Sequence, residues 1–344
     1  MAEGDDMTGS ARLSAIVVTH DHADVIERTL SALLHELRAD DELLVVDNAS
    51  SDGCAEVAQR AAPAARVLRA PGNDGFAAGC NLGASEAGGE LLLFLNPDAV
   101  VEPGFRDAIE GGSFDLWQGL VAMEGGATVN TSGGVVHFTG IAWSGRVGDP
   151  VGSVGGPREV PFASGACLVM PRAEYLAIGG MAEPYFLYLE DVDLSMRVRL
   201  GGGSVGVLPA AVVDHDYEFA KGSHKWRMLE RNRWATIVRT YPGALLAAVA
   251  PALVLTELGL LAVAAAGGWL PEKLRSYGDT ARSLRRLLAE RRTIQAGRTI
   301  SPAEFARHLT PDLDSPYLGR AATLAPLRAG LRLYWRLVLA ALRV

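Results

Sequence analysis

Three acidic features of the chain fall where carboxylates could do chemistry. Asp47 ends an apolar run at 42–46 (ELLVV), and Asp98 follows another in Leu95-Asn96-Pro97-Asp98. Glu190, Asp191 and Asp193 open the stretch EDVDLSMRVRL. Carboxylates gathered at strand ends are costly unless a cation or a hydrogen-bonding ligand joins them. A divalent metal bound to a diphosphate would meet that need. Each feature also has a purely structural alternative. Asp47 can cap the turn NASSDG, Asp98 can terminate a strand, and Asp191 and Asp193 can favour a helix N-terminus through its dipole. Their joint occurrence in one pattern of strands and helices favours the ligand reading.

The elements that must hold these residues alternate. Residues 14–19 (SAIVVT) read as a buried strand of the parallel type. Asp24 precedes VIERTLSALLHEL, whose Val25, Leu30, Leu33, Leu34 and Leu37 recur at helical spacing. Asp24, with Glu27 three residues on, is placed to cap that helix. Strands follow at 42–46, 66–69 (RVLR) and 90–95 (ELLLFL), with helices at 54–62 and 76–86 between them. This rhythm predicts a doubly wound α/β sheet with its ligand site at the carboxyl ends of the strands. Residues 111–160, rich in Gly, Val, Thr and Ser, read as irregular β-structure and loops. Order resumes at 162–170 (FASGACLVM), with a helix near 172–178. Val192, Met196 and Leu200 recur every four residues, so a short helix runs from the EDVD cluster to Gly201.

Composition narrows the class. The 344 residues are 49% hydrophobic and 21% charged, which excludes a mainly disordered chain. No repeat supports a collagen or solenoid reading. A formal charge of −8 argues against a nucleic-acid binder working by bulk charge. The charge is uneven: residues 267–344 hold 14 Lys/Arg against 6 Asp/Glu, a net of +8, which leaves −16 on residues 1–266. Cys54, Cys80 and Cys167 show no metal spacing and read as unpaired thiols of a reducing compartment. Residues 1–12 (MAEGDDMTGSAR) lack the apolar core of a secretory signal and read as a loose tail.

Several blocks, in order, resemble the family 2 inverting glycosyltransferases of the GT-A fold. They are VVTHDHADVIERTLSAL, VVDNASSDG, NDGFAAGCNLGA, LNPDA, FASGACLVM and FLYLEDVDLSMRV. The bacterial rhamnosyltransferase-like branch is the most similar. The resemblance covers roughly residues 13–240. It implies a GT-A domain at 13–220, a mixed doubly wound sheet, and a helical C-terminal extension at 221–344. It implies a nucleotide-diphospho-sugar donor, with dTDP-rhamnose as the expected case and galactofuranosyl or another hexosyl transfer as the alternative. Thr19, His20 and Asp21 would touch the nucleotide base, although most relatives carry Tyr-Asn where this chain has His20-Asp21. Asp47 would bond the edge of the uracil or thymine ring. Asn73, Gly75, Phe76 and Asn81 would shape the donor pocket. Asp98 corresponds to the last acid of the D-x-D motif, whose first acid is here Asn96, and His215 would be a second ligand of Mg²⁺ or Mn²⁺. A core or surface histidine with a backbone partner is the alternative for His215. Asp191 would be the general base that takes the acceptor hydroxyl's proton. Glu190, Asp193, Gly165 and Ala166 would line the acceptor side. Arg231 and Asn232 would meet phosphates of a lipid-linked acceptor, or lie on a solvated helix.

The C-terminal third suggests a place of work. Residues 244–266 are long enough to cross a bilayer, but Pro251 and Glu257 interrupt them. They read as an interfacial helix, with a single span or a packed helix as alternatives. The ending LAPLRAGLRLYWRLVLAALRV sets Arg328, Arg332, Arg336 and Arg343 beside an apolar face, as in a surface-seeking amphipathic helix. Packing on the chain's own body or on a homodimer partner is the alternative. The expected location is cytoplasmic, peripheral at the inner face of the cell membrane, with a glycan or polyprenyl-linked acceptor. A nucleotidyltransferase or a dinucleotide-dependent oxidoreductase needs a glycine-rich loop after the first strand, and THDHAD has none. A non-catalytic, membrane-associated scaffold would be marked by loss of Asp98 or Asp191, and both are present.

Overall fold

Runs of β-branched and leucine side chains build a mixed central sheet flanked by helices in this computed structural model, which describes residues 11–215, 222–314 and 324–343. The first half alternates β1 (Leu13–Thr19), α1 (Ile26–Glu36), β2 (Glu42–Asp47), α2 (Cys54–Ala61), β3 (Arg66–Arg69), α3 (Phe76–Glu86) and β4 (Leu91–Leu95). Then come β5 (Val100–Val101), α4 (Phe105–Glu110), β6 (Leu116–Met123), β7 (Thr128–Thr131), β8 (Gly134–Val136) and β9 (Ala142–Ser144). They are followed by β10 (Arg158–Glu159), β11 (Cys167–Pro171), α5 (Arg172–Ala177), α6 (Glu190–Leu200) and β12 (Val205–Asp214). Helices α7 (His224–Thr240), α8 (Gly243–Ala266), α9 (Leu270–Ala296), α10 (Pro302–Ala306) and α11 (Ala325–Ala341) complete the chain.

The main sheet runs β10-β12-β6-β11-β4-β1-β2-β3, with β5 on β12 and β7 on β6. Strands β3, β2, β1 and β4 are parallel. β11 runs against both β4 and β6, and β12 is parallel to β6. The strands β1, β2, β4, β6 and β12 therefore all end on one edge. All seven residues of β1 are buried, with core on both faces. One face packs Ile26, Leu30 and Leu33 of α1 against Leu13, Ala15 and Val17. The other packs Ala77, Cys80 and Ala84 of α3 against Ile16 and Val18. Burying each such aliphatic side chain contributes about 1.5–3 kcal/mol.

Two sequence readings need correction. No side chain caps α1; the carbonyl of His22 accepts from Ile26 N–H instead of Asp24 doing so. Residues 111–160 are more regular than expected, because β6 is an eight-residue strand in the middle of the sheet. Gly119 in that strand passes so close to Ala211 that a Cβ would lie 2.6 Å from its carbonyl oxygen.

The helical region shares a core with the sheet body. Phe138, Val192 and Met196 pack with Ile237, Leu245, Phe305 and Trp335, and Phe138 stacks on Trp335 at 4.9 Å. Part of the terminal helix therefore packs on the chain itself. Residue 220, the expected end of the first domain, lies outside the described residues, as do residues 1–10 of the expected tail.

Candidate active site

The common strand edge collects most of the expected residues. Thr19 pairs in register with Asp47 at the ends of β1 and β2. The carbonyl of Ala166 accepts from Asn96 N–H just beyond β4, and His215 N–H donates to Ala122 at the end of β6. Asp98 and His215, 117 positions apart in the chain, meet there: Nε2 of His215 lies 3.1 Å from Oδ1 of Asp98. Asn96 Nδ2 lies 3.4 Å from the same imidazole nitrogen. Burial alone would raise the Asp98 carboxyl, but the hydrogen bond and charge of His215 outweigh it and leave its pKa below the ordinary value. Among the described residues no three His, Cys, Asp or Glu side chains cluster as a metal site. Asp98 and His215 form a two-donor site of carboxylate oxygen and imidazole nitrogen, a set that suits Mg²⁺ or Mn²⁺ once diphosphate oxygens and water fill the remaining positions.

Asp191 stands at the head of α6, which begins after a strained turn. Phe186, Tyr188 and Leu189 all have positive φ, at 65°, 72° and 65°. Each such conformation costs a bulky residue on the order of 1–3 kcal/mol. The turn is held by Asn232 of α7, whose Nδ2 donates to the carbonyls of Tyr185, Leu187 and Tyr188. Arg231 donates to Tyr185 as well, at 2.7 Å. From the other side, Phe76 N–H donates to the Phe186 carbonyl at 2.7 Å. Gly75, at φ +90°, permits that approach; a Cβ there would sit 2.4 Å from the Phe186 oxygen.

The half-buried Asp191 carboxylate accepts from Gly165 N–H at 3.0 Å and Val192 N–H at 2.7 Å. Burial still raises its pKa above the ordinary value despite those bonds. Glu190 is buried beside it, and Oε2 has no hydrogen-bond partner. Burial first, and the charge of Asp191 second, push the Glu190 carboxyl well above the usual range. Burial and mutual repulsion thus oppose a second negative charge at this pair, and more strongly at Glu190 than at Asp191.

Around the ends of β1 and β2, the His20 ring is within 2.8 Å of the Asn48 carbonyl and 3.7 Å of Asp21. Asp21 accepts from Ser51 N–H, the largest influence lowering its pKa. Asp47 is buried and accepts from Ser50 N–H at 3.2 Å, so it caps its turn while lying at the strand edge. Asn73 accepts from Gly75 N–H, and Phe76 is half-buried against Gly165.

Four of the expected residues have partners within the chain. Asp193 is fully buried, paired with Arg197 at 2.8 Å and Arg239 at 3.3 Å and bonded to Tyr185. Both ends of the Asn81 amide are occupied, by Met181, Glu183 and Tyr175, so it braces α3. Thr19 turns its hydroxyl to Cys54 and His22. Asn232 is buried on the turn before α6 and does not lie on a phosphate surface. Sequence reasoning passed over Asn48, whose Nδ2 donates to Gly75 and ties β2 to the start of α3; its place directly after Asp47 was the available signal.

The model of the glycosyl transferase family 2 matches residues 14–109. An N-acetylglucosaminyl-diphospho-decaprenol L-rhamnosyltransferase of Mycobacterium tuberculosis is 27% identical over 241 residues, which is 61% of this chain and 78% of that protein. Rhamnosyltransferase WbbL of Escherichia coli is 24% identical over 242 residues, 64% of this chain and 88% of that one. Among solved structures, GalNAc-T7 with UDP, GalNAc and Mn²⁺ superposes with a TM-score of 0.57 at 15% identity, over 70% of this chain and 51% of that one. TarS of S. aureus superposes with a TM-score of 0.54 at 14% identity, over 96% of this chain and 55% of that one. The two structures share the fold. Residues 14–109 match glycosyl transferase family 2, and the chain is a glycosyltransferase with a GT-A-like mixed sheet and a helical C-terminal region.

Proposed function

We propose that the enzyme transfers L-rhamnose from dTDP-rhamnose, with inversion, to a hydroxyl of a glycan or polyprenyl-linked acceptor at the cytoplasmic face of the membrane. The observation that carries this reading is Asp191. It is a single half-buried carboxylate on the same side of the sheet as Asp98 and His215, with each oxygen fixed by one backbone N–H and free to accept a second bond. The activities of the two rhamnosyltransferase relatives support the sugar, and that of the mycobacterial one supports the lipid-linked acceptor.

The chain's own residues account for the proton and the orientation. An acceptor hydroxyl donates to Asp191 and loses its proton there as its oxygen attacks the anomeric carbon. The bond to the diphosphate breaks on the opposite face, and its electron pair leaves with the nucleotide. The raised pKa makes Asp191 a stronger base than a solvated aspartate. Burial opposes a second charge at Glu190. Asp47 accepts from the base edge, and His20 stacks beside it. Asp98 and His215 would hold Mg²⁺ or Mn²⁺, whose charge, when bound, offsets that of the leaving diphosphate.

A donor screen tests the reading. The full chain is offered dTDP-rhamnose and a panel of UDP- and GDP-hexoses, with a polyprenyl-diphosphate-linked N-acetylglucosamine, in Mn²⁺, Mg²⁺ or chelator. Metal-dependent release of dTDP with formation of a rhamnosylated product is expected. Turnover of another donor alone would overturn the sugar, and full turnover in chelator would overturn the metal.

A further inference from the structure

Helix α8 presents an apolar face that no other described element covers. Val254, Leu255 and Leu258 are 61%, 70% and 60% exposed. Ala247, Ala250, Pro251 and Ala262 extend that face and are exposed as well. The helix has 24 residues and, by length and composition alone, is long and apolar enough to cross a membrane. An apolar cavity of about 440 Å³ opens along it, lined by Trp234, Leu246, Ala250, Leu253, Val254 and Leu258, with Glu257 at its margin.

The back of the helix is fastened to the body. Leu245, Val249, Ala252 and Leu253 are buried there. Glu257, the helix's one acid, turns inward to Arg233 of α7 and to Lys273 of α9, at 2.7 Å from the latter. Lys273 is completely buried and also pairs with Glu230. These two acids and two cations neutralise one another. Withdrawing α8 into a transbilayer position would strand Arg233 and Lys273 as buried cations missing a partner, which is strongly unfavourable.

Charge selects the occupant of the face. Residues 267–344 carry a net +8. Helix α11 packs beside α8, with the Tyr334 hydroxyl donating to Ala248, and exposes Leu333 and Leu337 together with Arg332 and Arg336. A second copy would bring two such cationic regions together, whereas an anionic leaflet accepts both the apolar face and the cations.

We infer that α8 lies in the plane of an anionic membrane, with Val254, Leu255 and Leu258 inserted in one leaflet and Glu257 bolted to the body. It is a monotopic anchor and not a span. This rests on the membrane location proposed above and specifies its surface and geometry.

Depth measurement tests it, because the native cysteines Cys54, Cys80 and Cys167 are all buried. Ala247→Cys, Val254→Cys and Ala262→Cys are each labelled with an environment-sensitive fluorophore in the full chain. The proteins are bound to phosphatidylcholine–phosphatidylglycerol vesicles carrying nitroxides at shallow or deep acyl positions. Equal, shallow quenching at all three sites is expected. Quenching depth that increases steadily along the helix would show a span and overturn the inference. Vesicle binding without quenching at any site would leave the membrane location standing and overturn the role of α8. Failure of the full chain to float with vesicles would overturn both. In parallel, Leu255→Asp with Leu258→Asp should lower vesicle partitioning by about tenfold or more while nucleotide diphosphate release with a water-soluble acceptor is unchanged. If that pair instead dissolves a dimer seen by sedimentation velocity, the face is a contact between copies and the inference fails.

Discussion

Replacing Asp193 with asparagine removes a charge from a place where no water can substitute for it. The side chain is wholly buried, with one oxygen 2.8 Å from Arg197 and the other 3.3 Å from Arg239. Both guanidinium groups are themselves almost fully buried. Removing one member of a buried pair typically costs about 3–5 kcal/mol. Asparagine keeps an oxygen that can accept from Tyr185 or one arginine, so the lower end, about 3 kcal/mol, is expected. For a chain of this size each kcal/mol lowers Tm by about 2–4 °C, which gives a fall of about 6–12 °C. The assay pairs thermal melts followed by circular dichroism with nucleotide diphosphate release well below the transition. Asp193→Asn should melt early yet retain most of its low-temperature turnover. Asp191→Asn, two positions away, should melt at or slightly above the wild-type temperature, because burial disfavours the charge it removes. An Asp193→Asn protein that melts normally but has lost turnover would refute the assignment and return Asp193 to the acceptor side.

Glu190→Gln tests the proton on the neighbouring acid. A carboxyl with a raised folded-state pKa keeps a proton that the unfolded chain releases above about 4.5, so wild-type stability falls as pH rises, by up to about 1.4 kcal/mol per pH unit. Glutamine mimics the protonated form and lacks that fall, so urea unfolding should favour the variant increasingly as pH rises above about 5, and parallel curves would contradict the raised pKa. Asp98→Ala should weaken Mn²⁺ binding in the presence of dTDP by about tenfold or more in calorimetry, and unchanged affinity would remove Asp98 from the metal site. Gly75→Ala should disrupt the turn before α6, costing about 1–3 kcal/mol and most of the turnover, since its Cβ would lie 2.4 Å from the Phe186 oxygen. Wild-type melting and turnover would show that the approach is looser than the structure has it.

What the sequence revealed depended on whether the deciding contacts were local. Strands β1, β2 and β4 announce themselves because both faces are buried and the apolar runs are continuous. The spacing of Val192, Met196 and Leu200 marked α6, and all three are buried. Strand β6 was hidden by Gln118 and Gly119 in its interior. Gln118 is satisfied there by bonds to the backbone of Gly119 and Ser164, and Gly119 is needed for close approach of β12. Asp193 and Asn81 sit in family-like blocks, but their partners, Arg239 and Met181, lie 46 and 100 positions away. Spacing cannot show such pairs. Glu257 looked out of place in an apolar helix until Arg233 and Lys273 arrived from its neighbours, which hold its pKa at about 2 against the effect of burial. The cap expected from Asp24 failed because a backbone carbonyl was better placed to accept the same donor.

The central claim is that Asp191 accepts the acceptor's proton while other residues hold the donor. Its most direct test measures transfer by the wild type and by Asp191→Asn under saturating donor and acceptor, alongside dTDP-rhamnose affinity by calorimetry. The predicted result is a fall in turnover of about a thousandfold or more with donor affinity within about twofold of the wild type. An Asp191→Asn protein that keeps a tenth of normal turnover, or that loses donor binding in proportion to its rate, would contradict the account.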